Sequence, residues 1–343
     1  MFALKSVTDL YAVKNRRPTL QDIADRVGAT KMTVSRCLRA PDTVSENLRK
    51  RIFATAEELG YIPNRGPDIL SKSTSRAIGV LLPSLTNQVF ADVIKGIESV
   101  TEPAGYHVML SHYGYSPEFE ERSLAALLSY NVDGVILSES QHTQRTRRML
   151  ETTGIPVVEI MDSRSAPFQQ AIGFDNVEAA YDMVSAMIHR EHRQVLYLAV
   201  RLDARTLQRQ EGYQRAMAKH GLKPETLRTM SRSSYSVGAS LMAQVLSEYP
   251  QTDGLFCTND DIAIGAYFER LKRGIKVPED MAIAGFHGHD VGQVMSPRLA
   301  SVVTPRESVG ERAARELLQR IQGQPLKEPV VNLGYRIESG GTI

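Results

Sequence analysis

Along residues 20–38 (LQDIADRVGATKMTVSRCL) the apolar positions Leu20, Ile23, Ala24 and Val27 recur at helical spacing, which predicts a short amphipathic helix. Thr19 precedes it with Asp22 three residues on, a weak form of the capping box, and Gly28 supplies a stop. Thr30 can cap a second helix whose inward residues are Val34 and Leu38, with Cys37 packed inside. Ser45 opens a third, with Leu48, Ile52, Ala56 and Leu59 as its buried stripe. Residues 64–75 (NRGPDILSKSTS) are rich in Gly, Pro and Ser and read as a linker. Pro67 nevertheless suits the first position of a short helix, with Ile69 and Leu70 behind it.

From Ala77 the texture changes. Apolar runs at 77–83, 107–112, 134–137 and 156–160 alternate with helical stretches near 88–103, 118–130 and 144–153. A second set of runs, 195–200, 254–257 and 281–286, alternates with helices near 176–190, 206–220, 236–248 and 260–273. Short buried strands alternating with helices predict parallel sheets with right-handed crossovers. Two successive sets predict two doubly wound lobes, with a cleft at the carboxyl ends of their strands. The fold class is therefore an N-terminal all-α helix-turn-helix head on an α/β body of two parallel-sheet lobes.

The 343 residues suit two or three domains, and 42% hydrophobic with 23% charged residues is the composition of a globular protein. No apolar run approaches the roughly 20 residues that span a bilayer, so no membrane partner is expected. The first 15 residues lack the apolar core of a signal peptide and read as a loose extension. Cys37 and Cys257 fall in different domains and read as structural thiols of a reducing cytoplasm. A net charge of +2 hides an asymmetry: 12 Lys/Arg against 7 Asp/Glu through Arg65, and 29 against 32 beyond it. A basic head on a mildly acidic body fits phosphate binding at one end.

The outward start of the second helix carries the chemistry of a DNA-reading helix in the major groove. Arg36 can donate twice to guanine O6 and N7, Lys31 can donate to the same edge, and Met32 can pack against a thymine methyl. Thr33, Ser35 and Asn64 suit backbone phosphates, and Thr30 at the helix start joins this face. Arg16 and Arg17 stand where a basic arm could reach a phosphate.

These motifs together carry a resemblance. L-Q-D-I-A-x-x-x-G-x-x-x-x-T-V-S-R followed by E-L-G-Y-I-P-N-R resembles the head of the LacI/GalR family of bacterial repressors, and the likeness runs to about residue 340. Within that family K-M-T-V-S-R, L-P-S-L-T-N-Q-V-F, F-C-T-N-D-D and A-G-F-H-G-H-D look like the gluconate- and idonate-responsive repressors. The resemblance implies a head over 16–64 and a hinge helix over 65–76 whose Leu70 wedges into the minor groove. It implies a periplasmic-binding-protein type body whose chain crosses between lobes near 163, 303 and 324. The lobes are then 77–163 with 304–323, and 164–303 with 324–343. A homodimer on pseudo-palindromic operator DNA follows from the need for two heads, and the chain stops at Ile343 without a leucine heptad tail.

For the cleft, Asn87 and Phe90 follow the first strand as a polar group and an apolar wall, with core packing an equal reading of Phe90. Arg209 falls where the family keeps a basic residue at the ligand, and a guanidinium matches a carboxylate in two prongs. Arg201 and Arg205 nearby read as solvated, though either could help hold the ligand. Asn259 follows a strand and can cap a helix or meet an anion; Asp162 and the Asp175-Asn176 pair are lesser candidates. His287 stands where many sugar- and purine-binding relatives have an acidic residue; a histidine can donate and can carry charge near neutral pH. With Arg209 it favours a sugar acid such as gluconate. His287, His289 and Asp290 lack a second ligand cluster, so no metal or cofactor is expected. An enzyme using Asp260 and Asp261 is the rival from another class, but a Gly-rich phosphate loop and a nucleophile elbow are missing. A transport binding protein would not need residues 19–64, and an activator or a sugar-phosphate regulator would share every motif.

Overall fold

A computed structural model describes residues 17–64 and 74–343, which belong to two compact units divided between Ser73 and Thr74. In the head, α1 (Leu20–Val27) opens on a complete reciprocal capping box. Asp22 N donates to Thr19 Oγ1 at 3.3 Å, and Asp22 Oδ2 accepts from Thr19 N at 2.8 Å. Gly28 ends it at φ 64°, a left-handed cap that costs glycine little. Thr30 caps α2 (Lys31–Arg39), accepting from Thr33 N at 3.1 Å. A 3-10 turn (Pro41–Thr43) leads to α3 (Glu46–Leu59), whose preceding Ser45 makes no side-chain cap bond. Ile23, Val34, Cys37 and Ile52 are fully buried at the centre, while Leu38 lies at its margin. Leu70 and Arg16 lie outside the described residues.

The body holds two six-stranded sheets of the same internal order. The first half runs β1 (Ala77–Leu82), α4 (Gln88–Thr101), β2 (His107–His112), α5 (Pro117–Ser129), β3 (Gly134–Leu137), α6 (Gln144–Thr153), β4 (Val157–Ile160) and β5 (Ala171–Gly173). The second runs α7 (Asn176–His189), β6 (Val195–Val200), α8 (Ala204–Lys219), β7 (Glu225–Thr229), α9 (Tyr235–Glu248), β8 (Gly254–Cys257), α10 (Asp260–Lys272), β9 (Ala282–His287), α11 (Asp290–Val294) and β10 (Ala300–Val303). The chain then forms α12 (Arg306–Ile321), β11 (Val330–Asn332) and β12 (Arg336–Glu338). The sheets read β11-β5-β4-β3-β1-β2 and β12-β10-β9-β8-β6-β7. Every pairing is parallel except that of β12 with β10.

Two expected crossings move. Ala171 pairs with Glu159 on one side and Val330 on the other, so 171–173 and 330–332 both belong to the first sheet. The chain therefore leaves that sheet after Gly173 rather than near 163, and again after Asn332 rather than near 324. In each case one more short strand completes its hydrogen bonds before the chain crosses. The remaining crossing follows Val303, and α12 returns to pack on α4 with its backbone in contact. A Cβ on Gly96 would meet Glu307 O at 2.1 Å, and one on Gly310 would meet Val93 O at 2.1 Å. Among the described residues no helix is long and apolar enough to cross a membrane.

Candidate functional site

Backbone geometry marks the cleft before any side chain does. Tyr115, Met161, Arg201, Leu202 and His287 have φ of 65°, 73°, 66°, 55° and 106°, and all stand at or just past the carboxyl ends of strands. Residues other than glycine held there cost on the order of 1–3 kcal/mol each and cluster where a fold binds ligands. Tyr115, Met161, Arg201 and His287 line a narrow pocket with Asn87, Phe90 and Arg209.

Arg209, on α8, is 2% exposed. Its Nε donates to Asn176 Oδ1 at 3.1 Å, Nη1 to the Thr258 carbonyl at 2.6 Å and Nη2 to His287 Nε2 at 3.2 Å. Its guanidinium also covers the Phe286 ring at 3.8 Å. All of these partners are neutral, and among the described residues Arg209 pairs with no carboxylate. Burial pushes its pKa down to about 10, so the group stays a cation. Two N–H groups of the five remain for a ligand.

His287 departs from expectation. Burial first, and the Arg209 charge second, push its pKa well below the usual value, so it is neutral. Because Arg209 can only donate, Nε2 is the acceptor, and Nδ1–H points at Thr304 Oγ1, 3.2 Å away. The histidine contributes a neutral acceptor that orients Arg209, and burial disfavours the charge that a histidine can carry near neutral pH.

Asn87 caps α4, its Oδ1 accepting from Val89 N at 3.0 Å, and it also faces the pocket. Phe90 is buried and lines the pocket, so both readings of it hold. Asn259 caps α10 and spends its oxygen on Ile262 N at 3.2 Å and Ser233 Oγ at 2.8 Å, away from this pocket's wall. Asp162 accepts from Ser165 Oγ at 2.6 Å and from Gln208 Nε2 on α8 at 2.9 Å, a tie between lobes rather than a wall residue.

The solvated reading of the two neighbouring arginines does not hold. Arg201 and Arg205 are not solvated: their side chains are 11% and 10% exposed. Asp203 caps α8 through Thr206 N at 2.8 Å; burial raises its pKa, but Arg205 and Arg201 outweigh that and hold it down to about 2. Asn176 was a lesser candidate for the cleft, with helix capping an equal reading. Its Nδ2 donates to the Met161 carbonyl at 3.1 Å while its oxygen takes Arg209, so it joins both lobes at the site.

In the head, Lys31, Met32 and Arg36 project from α2, Met32 83% exposed. Among the described residues Lys31 and Arg36 make no ion pair, whereas Arg26 holds Glu58 at 2.6 Å and Arg49 holds Asp42 at 2.9 Å. Thr30 and Thr33 share a hydroxyl contact of 2.9 Å, Ser35 Oγ accepts from Arg39 Nη2 at 3.0 Å, and Asn64 is exposed. Free cations on the start of an exposed second helix are what groove binding requires.

Residues 19–64 match the family model of bacterial regulatory proteins, lacI family. Residues 75–332 match that of periplasmic binding proteins and the sugar binding domain of the LacI family. The chain is 59% identical over 331 residues to the HTH-type transcriptional regulator GntR of Escherichia coli, covering 96% of this chain and 100% of that one. It is 46% identical over 332 residues to the HTH-type transcriptional regulator IdnR of Escherichia coli, at 96% and 100% coverage. A crystal structure of a LacI-family transcriptional regulator from Silicibacter pomeroyi superposes with a TM-score of 0.89 at 32% identity, covering 95% of this chain and 99% of that one. The chain belongs to the lacI family of bacterial regulatory proteins: it is a DNA-binding transcriptional regulator and not an enzyme.

Proposed function

We propose that this regulator is a repressor of sugar-acid catabolism genes, released from its operator by a small sugar carboxylate of the gluconate type. The carrying observation is Arg209, a buried cation with only neutral partners at a pocket wall. Removing a charge from water without a counter-ion is costly, and a ligand carboxylate supplies the missing one. Likeness to the gluconate- and idonate-responsive subgroup supports the same class. Asn87 and Phe90 would position the sugar, and His287 would hold Arg209 in place. In the head, Lys31, Met32 and Arg36 would read bases while Thr30, Thr33, Ser35 and Asn64 meet phosphates, Leu70 being assigned to the hinge by resemblance alone. Two copies on a pseudo-palindromic site supply the two heads such a reading needs.

A second reading has its own observation. A chamber of about 410 Å³ shares Asn87, Tyr115 and Arg201 with the pocket and adds Arg232 and His112. A sugar acid with a phosphate at its far end would suit Arg201 and Arg232. Calorimetric titration with gluconate, glucose and 6-phosphogluconate, followed by operator release, separates the readings. Gluconate binding with operator release supports the first, and a preference for the phosphorylated acid the second. Preference for glucose removes the carboxylate from both.

A further inference from the structure

The second arginine of the cleft is held differently from the first. Arg205 stands in the first turn of α8, in the second lobe, and lines the pocket. Its guanidinium reaches across into the first lobe, where Nη1 donates to the Ser138 carbonyl at 2.7 Å and Nη2 to Glu139 Oε1 at 3.0 Å. Both acceptors follow β3. Glu139 is fixed in turn by the Tyr113 hydroxyl, which donates to the same Oε1 at 2.6 Å and lies 3.0 Å from Ser138 Oγ. Tyr113, just after β2, is 2% exposed. Neither Glu139 nor Tyr113 forms the pocket wall.

The charges divide the work. Arg209 has no carboxylate and awaits one, whereas Arg205 has Glu139 across the cleft and Asp203 two residues before it on its own lobe. A neutralised arginine is a poor trap for an anion and a good bridge. Such a bridge exists only when the lobes are closed, because its donor and its acceptors sit on different lobes. In low dielectric its geometry is demanding, since desolvation offsets the attraction unless every partner is in place. Tyr113 and Ser138 supply those partners.

We propose that Glu139 and Tyr113 are positioning residues that hold Arg205 across the cleft, so that the effector pocket is complete only with the lobes closed. This rests on the cleft being the effector site. Occupancy is then coupled to closure, because apparent affinity scales with the fraction of molecules in the competent form.

The full-length protein tests this in two arms. Without ligand, amide hydrogen exchange at 138–139 and in the first turn of α8 should rise at least about threefold in Glu139→Gln, and by less in Tyr113→Phe, which removes two hydrogen bonds and no charge. With ligand, Glu139→Gln should weaken gluconate binding about tenfold while the gluconate-to-glucose affinity ratio stays as in the wild type. That ratio is set at Arg209 and separates positioning from damage to the pocket. In an Arg205→Gln background, Glu139→Gln should add nothing to either readout. Wild-type exchange and affinity in both single variants overturns the proposal, as do additive losses in the double variant. If Glu139→Gln does not fold, Tyr113→Phe alone decides, by whether it raises exchange on both faces of the bridge. Should the wild type bind glucose as well as gluconate, the carboxylate reading fails while the exchange arm still decides on the bridge.

Discussion

A neutral His287 beside a charged Arg209 makes effector binding insensitive to pH where a histidine usually responds. With its pKa depressed well below the usual value, His287 does not titrate between pH 6 and 8, a window bracketing the ordinary pKa of about 6.5. Gluconate affinity should be flat across that window; affinity that falls as pH rises through about 6.5 would mean that an imidazolium takes part. For folding the sign runs the other way. The unfolded chain takes up a proton that folded His287 refuses, so stability is lost as pH drops below about 6.5. Arg209 carries a sharper prediction. Arg209→Met should cost gluconate binding roughly 2–5 kcal/mol, since it removes the ligand's charge partner. Two effects oppose each other in its melting temperature: relief of a buried charge without a counter-ion raises it, and the acceptors left unpaired at Asn176, Thr258 and His287 lower it. The binding loss measured by calorimetry is therefore the readout that tests Arg209, and unchanged gluconate affinity would remove it from the site.

Individual elements differ in how far local sequence determines them. The six buried residues of β6 and the capped, glycine-stopped α1 are legible because pattern and propensity agree at short range. The three-residue strands β5, β11 and β12 are not: too short to show a period, they exist because neighbouring strands offer hydrogen bonds. Missing them displaced two lobe crossings. Arg209 was singled out because it falls where the resembled family keeps a basic residue at the ligand. Arg205 looked solvated because its counter-ion, Glu139, lies 66 residues away in sequence. Distance in sequence also hid a buried cluster joining three elements. His142, just before α6, lies 2.9 Å from Glu120 on α5 and 2.8 Å from Glu159 on β4. Burial opposes its charge, but the two carboxylates win and raise its pKa to about 9. The stability this contributes is fully present below about pH 6.5 and is lost as pH rises through about 9, amounting to roughly 3 kcal/mol. Urea unfolding at pH 7 and pH 9.5 should show that loss in the wild type and little of it in His142→Gln. In the head, Arg36 on α2 is exposed and makes no ion pair among the described residues, so Arg36→Ala should weaken specific operator binding by about 1–3 kcal/mol and spare gluconate binding. Unchanged operator affinity in a gel-shift titration removes Arg36 from the reading face.

At the scale of the whole molecule, the proposed function demands a free-energy link between the cleft and the operator. Tight binding of gluconate releases nothing by itself; release requires that gluconate prefer the form with low operator affinity. Linkage then fixes the reverse effect without further assumption. If saturating gluconate lowers operator affinity by some factor, saturating operator must lower gluconate affinity by the same factor. Couplings of this kind are typically about 1–3 kcal/mol, so the factor should fall between about 5 and 150. Titrating gluconate into the free protein and into its operator complex at one salt concentration gives one side of the cycle. Operator titrations with and without gluconate give the other. Equal factors above about 5 identify gluconate as an inducer acting through the cleft. Equal factors near one make it a bystander however tightly it binds, and a gluconate affinity that rises on the operator reverses the assignment to co-repressor. Glu139→Gln adds a diagnostic to the same cycle. A variant that only lowers the closed fraction changes the gluconate concentration needed for release, while gluconate and operator affinities continue to shift by matching factors.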